Sequence, residues 1–82
     1  MNVTFYTNEF SQDIKAEIEV NRHIGGGNDG YIAWVVNVRN GDLLFSTAGD
    51  EKHDVIERAE ELGKNLSLNF NGIYVKHKFP NI

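Results

Sequence analysis

The amino-acid sequence predicts an α+β domain in which an antiparallel sheet of four or five strands carries one amphipathic helix on one face. Three patterns predict this fold. An early segment alternates apolar and polar residues, Asn40-Gly41 separates two further apolar segments, and apolar residues recur at helical spacing after Asp50. The 82 residues suffice for a single domain, 1–82, with no room for a second core.

The first long strand is predicted from Ile14 to Ile24, where side chains alternate between an apolar face and a wet face with a period of two. Arg22 is the one break on the apolar side. A glycine-rich connection, 25–30, follows and is expected to be a flexible loop. Residues Val3 to Tyr6 are expected to add a short edge strand.

The next two strands, Tyr31 to Arg39 and Asp42 to Thr47, are predicted to form a hairpin around Asn40-Gly41, the strongest short hairpin signal in a sequence. A two-residue turn pairs three sets of apolar positions on one face, which we expect to face the core: Val38 with Leu43, Val36 with Phe45, and Trp34 with Thr47. The opposite face is not fully polar either, so we expect something to cover it: the N-terminal segment, a second copy of the chain or a partner. Its residues are Tyr31, Ala33, Val35 and Leu44.

The helix is predicted to begin near Asp50, with Thr47 or Asp50 as its cap. Its end is open. Either the helix continues to about Leu68, which the spacing favours, or residues 66–70 form a short strand that Asn71-Gly72 turns into the next one. In both cases Ile73 to Phe79 is the last strand.

The apolar faces of these elements define the predicted core. Its members are Ile14, Ala16, Ile18, Val20, Ile32, Trp34, Val36, Val38, Phe45, Val55, Ile56, Ala59, Leu62, Leu66, Ile73 and Val75. On the opposite side of the predicted helix, four carboxylates fall within roughly 60° of one another when the helix is wound at about 100° per residue. We call them the acidic stripe: Asp50, Asp54, Glu57 and Glu61. Such a row faces only solvent or a basic partner.

Composition excludes several functions. Eight Lys and Arg against twelve Asp and Glu give a net charge of −4, which disfavours direct nucleic-acid binding through phosphate contacts. There is no cysteine, hence no disulfide, thiolate nucleophile or cysteine-bound zinc. The N-terminal residues do not read as a signal peptide, and no apolar run approaches the ~20 residues of a membrane span. We expect a cytoplasmic protein.

The sequence shows no motif for a catalytic, cofactor or metal site, so we expect none. The glycine run lacks the Gly-Lys-Ser/Thr ending of a phosphate-binding loop. His23, His53 and His77 do not form a two-histidine motif at metal-ligand spacing. We therefore expect a binding protein, and a small hydrolase built on histidine and carboxylates is the weakest alternative.

The predicted elements follow one another as strands, the Asn40-Gly41 hairpin, a helix and a last strand. This order resembles that of the small meander-plus-helix proteins of phage and prophage accessory genes. The helix reads Glu57-Arg58-Ala59-Glu60-Glu61-Leu62-Gly63-Lys64. HicB-type antitoxins and several anti-CRISPR and anti-restriction inhibitors are similar in size and layout. The resemblance covers architecture only, so it transfers no functional residue. It implies a non-enzymatic inhibitor acting in the cytoplasm of the host cell.

Charge and resemblance together lead to one leading hypothesis. A row of carboxylates on a rigid helix resembles the phosphates of a nucleic acid and steers toward basic grooves. We expect a phage-type inhibitor that engages a basic, nucleic-acid-binding surface of a host defence complex. The alternative is a homodimeric structural or regulatory module joined through Tyr31, Ala33, Val35 and Leu44.

Overall fold

Five strands form one sheet in the computed structural model, which describes residues 2–11, 13–23 and 30–76, and one helix packs against the sheet. The predicted α+β class is therefore confirmed. The spatial strand order is β1-β4-β3-β2-β5. The elements are β1 (Asn2–Phe5), β2 (Lys15–His23), β3 (Gly30–Asn37), β4 (Leu43–Gly49), α1 (Lys52–Asn65) and β5 (Asn69–Lys76).

The sheet is mixed, whereas the sequence predicted antiparallel pairing throughout. Three neighbouring pairs are antiparallel, and the edge strand β5 runs parallel to β2. The reason is the crossover helix. Because α1 leads from β4 across the sheet to its far edge, β5 enters in the direction of β4, and parallel strands need such a connection.

The core lies between the sheet and α1. Its fully buried side chains come from one face of β2 and β3, from Phe45 in β4, and from Val55 and Ala59 in the helix. The period-two pattern predicted for β2 is confirmed, because Ala16, Ile18 and Val20 are all buried. Burying a Val, Ile or Phe side chain contributes roughly 1.5–3 kcal/mol each, so this layer holds the domain together.

The predicted face of β3 is wrong. Ala33 and Val35 are fully buried against the helix, while Ile32, Trp34 and Val36 are only partly buried and lie on the other face. The predicted register paired Val36 with Phe45, but the structure pairs Val35 with Phe45. A slip of one residue exchanges the two faces of a strand, and that exchange produced the error.

The first contribution to the new register is a loop longer than the predicted two-residue turn, which alone shifts the pairing by two residues and so keeps the same faces together. The Asn37 N–H donates to the carbonyl of Asp42 at 2.8 Å, and this bond closes a loop of four residues, 38–41. The Asn37 and Asn40 side-chain oxygens accept the N–H groups of Arg39 and Asp42, both at 2.9 Å. These local bonds favour a longer turn, and Gly41 has the left-handed φ of 76° that it requires.

A bulge beside the loop exchanges the two faces, because it reduces the shift from two residues to one. Val35 pairs with Phe45 and Val36 with Leu43, which leaves Leu44 as the extra residue of β4. Leu44 is buried, whereas Leu43 is exposed. Val38, also predicted for the core, is exposed within the loop.

The start of the helix also differs from the prediction. Thr47 does not cap it, because β4 continues to Gly49 and holds Thr47 fully buried in the sheet. Asp50 lies in the bend before the helix, and the N-cap position belongs to Glu51, whose side chain makes no capping hydrogen bond. The helix therefore begins at Lys52, and its stability comes from the packing of its apolar face.

The helix ends at Asn65, three residues before the predicted end. The Leu68 N–H donates to the Gly63 carbonyl at 2.9 Å, and the Ser67 N–H donates to the Lys64 carbonyl at 3.0 Å. This pair of bonds is the Schellman motif, which satisfies the last helical carbonyls. It requires a left-handed residue, and Ser67 supplies it with φ 61°.

Strand β5 begins sooner than predicted, and the less favoured alternative, a turn at Asn71-Gly72, is also wrong. Both residues lie inside β5, where the pairing with β2 shifts register after Ala16. Ile73, predicted for the core, is exposed because β5 is an edge strand. The other predicted helix-side members, Ile14, Ile56, Leu62 and Leu66, are partly buried against the core.

Some predictions fall outside the described residues. These are the glycine-rich connection, the strand positions of Ile24 and of 77–79, and the histidine His77. The side chains of His23 and Val75 also lie outside the described part.

We expect Gly63→Ala to lower the free energy of unfolding by about 1–3 kcal/mol. Gly63 is buried in the helix, and a Cβ there would overlap the Phe70 ring. In a Phe70→Leu background the clash is relieved, so the same substitution should raise stability by up to about 1 kcal/mol through helix propensity. Urea unfolding of the four proteins measures both values. An equal effect in the two backgrounds would contradict the packing of Gly63 on Phe70.

We expect Ser67→Gly to raise the free energy of unfolding by about 0.5–1 kcal/mol. Glycine adopts the left-handed conformation of position 67 without steric cost. Asn65→Gly is the matched control, because Asn65 lies in the last helical turn and glycine should lower stability there by a similar amount. Thermal and urea unfolding would show opposite signs, and a loss of stability in both variants would contradict the assigned helix end.

Candidate functional site

The acidic stripe is exposed, but only three of its four members belong to the helix. Asp54, Glu57 and Glu61 lie on the side of α1 away from the buried Val55 and Ala59. The Asp54 side chain is 44% exposed and that of Glu57 is 72% exposed. Asp50 is exposed in the bend before α1, so the helix itself does not hold it in line with the others.

His53 modifies the stripe in a way that the sequence reasoning missed. Its Nε2 atom lies 3.3 Å from Asp54 Oδ1 and 3.4 Å from Glu57 Oε2. The signal was present in the sequence, because His53 and Glu57 are four residues apart on one helix. His53 thus contacts two members of the stripe, Asp54 and Glu57, whereas no contact of His53 with Glu61 is seen in the described structure.

His53, Asp54 and Glu57 also bring three possible metal ligands within 4.8 Å of one another. A histidine with two carboxylates is also the set that a small hydrolase would need. All three side chains, however, lie on an open helix surface where water competes for every position. Catalysis and tight metal binding both need a site that excludes water, so we assign neither here.

A groove of about 800 Å³ lies between residues 6–11 with Ile14 on one side and the loop that joins β3 and β4 on the other. Phe10, Ile14 and Leu44 contribute apolar surface, and Glu9 and Asp42 contribute carboxylates. The described lining contains no histidine or basic residue that would complete an acid–base pair. The groove adds negative charge at the end of the sheet, and we assign no catalytic reaction to it.

The predicted dimer face is wrong as an outer surface. Ala33, Val35 and Leu44 are buried, and Tyr31 is partly buried against the same core. The one-residue slip between β3 and β4 placed these residues under the helix. The face that α1 leaves uncovered in the described structure instead carries Ile32, Trp34 and Val36.

Among the described residues, the 14-residue helix α1 is too short and too polar to cross a membrane. Comparison of the chain with known protein families, with curated proteins and with solved structures found no match. The argument for function therefore depends on the charge and geometry of the chain itself.

Proposed function

We propose that this chain is a small, acidic, non-enzymatic binding protein that engages a basic surface of a protein partner through the acidic stripe. One observation supports this most directly. Asp54, Glu57 and Glu61 follow one another along an exposed face of a helix that the core holds in place. At 1.5 Å per residue the row from Asp54 to Glu61 extends about 10 Å along the helix axis.

The row brings like charges together on one helix face, and His53 contacts two of them. Like charges three or four residues apart on a helix repel by a few tenths of a kcal/mol per pair. The helix dipole accounts for Asp54, which lies in the first turn, but not for Glu57 or Glu61 further along. A basic partner would offset this repulsion, and the extended field would increase the rate of encounter.

The partner class that we propose is a basic, nucleic-acid-binding surface of a host defence complex. The net charge of −4 and the row of carboxylates suit a groove that normally holds phosphates. The resemblance in architecture to phage inhibitors favours the same class. The homodimer through Tyr31, Ala33, Val35 and Leu44 is not proposed again, because the helix covers that face.

We expect the triple reversal Asp54→Lys, Glu57→Lys and Glu61→Lys to slow association with the partner at least tenfold. Each carboxylate contributes to one extended field, and screening should weaken wild-type binding as the Debye length falls to about 8 Å at physiological salt. Immobilised wild-type chain first captures the partner from a host extract. Association rates of the purified partner with both forms are then measured at low and physiological salt.

The matched control is the triple reversal of Glu9, Asp13 and Asp42, three exposed carboxylates outside the stripe. Both triple variants have a net charge of +2, compared with −4 for the wild type. The control should associate much faster than the stripe variant, and thermal melts should change little, because exposed charges affect stability by about 0.5 kcal/mol or less. Equal loss in both variants would show that net charge matters and the stripe does not.

A further inference from the structure

The groove beside the β3–β4 loop lies at one end of the sheet, where four strands begin or end, and we call it the end groove. β1 and β3 end there, and β2 and β4 begin there. Every residue that lines the end groove belongs to the described part of the chain. Its volume of about 800 Å³ falls within the roughly 300–1,000 Å³ of small-molecule sites.

Two asparagine side chains in the lining are held in a fixed orientation by the loop. Asn37 Oδ1 accepts the Arg39 N–H at 2.9 Å, and Asn40 Oδ1 accepts the Asp42 N–H at the same distance. These bonds turn each amide oxygen toward the loop backbone. Neither Nδ2 group has a hydrogen-bond partner among the described residues. The end groove therefore offers two oriented amide donors to a ligand.

Two carboxylates lie in the same lining. Glu9 and Asp42 are exposed, and neither forms an ion pair within the part of the chain that the structure describes. The Glu9 N–H donates to Thr7 Oγ1 at 3.1 Å, which fixes the local turn that carries this carboxylate. An ionised carboxylate only accepts hydrogen bonds, so the end groove combines groups that only accept with amide groups that only donate.

Aromatic side chains supply the apolar part of the end groove. Tyr6 is 50% exposed, and its N–H donates to the Leu44 carbonyl at 2.9 Å. The Tyr6 hydroxyl lies 3.4 Å from Ser46 Oγ, so it is already engaged by the sheet. Phe10 is held by an edge-to-face contact with Phe5, with ring centroids 6.2 Å apart. Both rings offer a surface on which the C–H groups of a ligand can pack.

The mixture of donors and acceptors discriminates between classes of ligand. An anion such as phosphate is repelled by the two carboxylates. A metal ion or an amine suits the carboxylates but meets the amide N–H groups with charge of the same sign. A hydroxyl group both donates and accepts, so a ligand with several neighbouring hydroxyls satisfies both kinds of group.

We propose that the end groove binds a neutral carbohydrate of one or two sugar rings. The sugar hydroxyls donate to the carboxylates of Glu9 and Asp42 and accept from the Nδ2 groups of Asn37 and Asn40. The C–H face of a sugar ring packs on Tyr6. The carbohydrate is bound and released without chemical change.

The end groove shares no residue with the acidic stripe, which lies on α1. The carbohydrate is therefore a second ligand beside the protein partner proposed above. Loss of binding at one surface leaves binding at the other intact, so the two proposals can be tested separately.

The direct test is an NMR titration of the uniformly ¹⁵N-labelled chain with maltose, cellobiose, lactose and chitobiose. We expect at least one disaccharide to shift the backbone amide signals of residues 6–11 and 38–44 saturably. The dissociation constant should be on the order of 1 mM, because an open groove leaves much of the ligand hydrated. Glycerol, which has hydroxyls but no ring face, should give no saturable shift. The absence of saturable shifts at these residues with all four disaccharides would overturn the proposal.

The substitutions Asn37→Asp and Asn40→Asp test the amide donors. Each keeps the Oδ1 acceptor that bonds to the loop backbone and replaces the Nδ2 donor by an oxygen atom. Disaccharide binding should weaken at least fivefold in each variant. The matched control is Asn65→Asp, which makes the same change of charge at an exposed position at the end of α1 and should have no effect. Thermal melts check that the variants are folded.

The same variants separate a carbohydrate from a cation. Calcium chloride and spermidine are titrated into the wild type and into Asn40→Asp. A cation site would bind either probe more tightly after Asn40→Asp, because the variant adds a carboxylate. Tighter binding of a cation at residues 6–11 and 38–44, together with unchanged disaccharide binding in Asn40→Asp, would overturn the proposal.

The aromatic contact has its own pair of variants. Tyr6→Leu should weaken disaccharide binding about threefold or more, whereas Tyr6→Phe should retain it, because the hydroxyl is turned to Ser46. Tyr74→Leu removes an equally exposed tyrosine from β5 and should have no effect. Equal loss in Tyr6→Leu and Tyr74→Leu would contradict the role of Tyr6.

The two triple reversals described above distinguish failure of this proposal from failure of the proposed function. The reversal of Asp54, Glu57 and Glu61 should leave disaccharide binding unchanged while it slows association with the protein partner. The reversal of Glu9, Asp13 and Asp42 should abolish disaccharide binding while the protein partner still associates. Disaccharide binding that is lost only with the stripe reversal would place the carbohydrate on α1 and overturn the end groove as its site.

Discussion

The pairing of Val35 with Phe45 determines the rest of this structure. It decides which side of β3 faces α1, and therefore which residues are buried and which are presented to partners. The pairing depends on the bulge at Leu44, which moves the register by one residue beside the loop 38–41. One extra residue in β4 thus decides which apolar side chains of β3 form the core layer under the helix.

Much of the fold could be predicted from the sequence because periodicity is a local property. The alternation in β2 and the helical spacing around Val55 and Ala59 identified the buried residues of both elements. The β3–β4 register could not be predicted from the same rule, since Ala33, Val35, Trp34 and Val36 are all apolar and either face would suit a core. Likewise, the helix end could not be predicted, because position 67 is a serine and not the glycine that usually adopts the left-handed conformation after a helix.

In the candidate site, too, only the features that follow from local patterns could be predicted from the sequence. The acidic stripe was visible because helical geometry alone places Asp54, Glu57 and Glu61 on one side. The contact of His53 with Glu57 needed only an i, i+4 relation, which charge patterning can find. The residues that β5 places beside β2 could not be predicted, because no local pattern reveals that these two strands are neighbours.

The placement of β5 has a consequence for the chain during synthesis. β2 is paired on one side by β3 soon after both leave the ribosome, but its other edge waits for residues that come more than fifty positions later. Until then the backbone groups of β2 are open to any other extended strand, including that of a neighbouring nascent chain. Parallel pairing over such a separation forms slowly, so the last of the described elements to be made is also the one that protects the edge of β2 from misassembly.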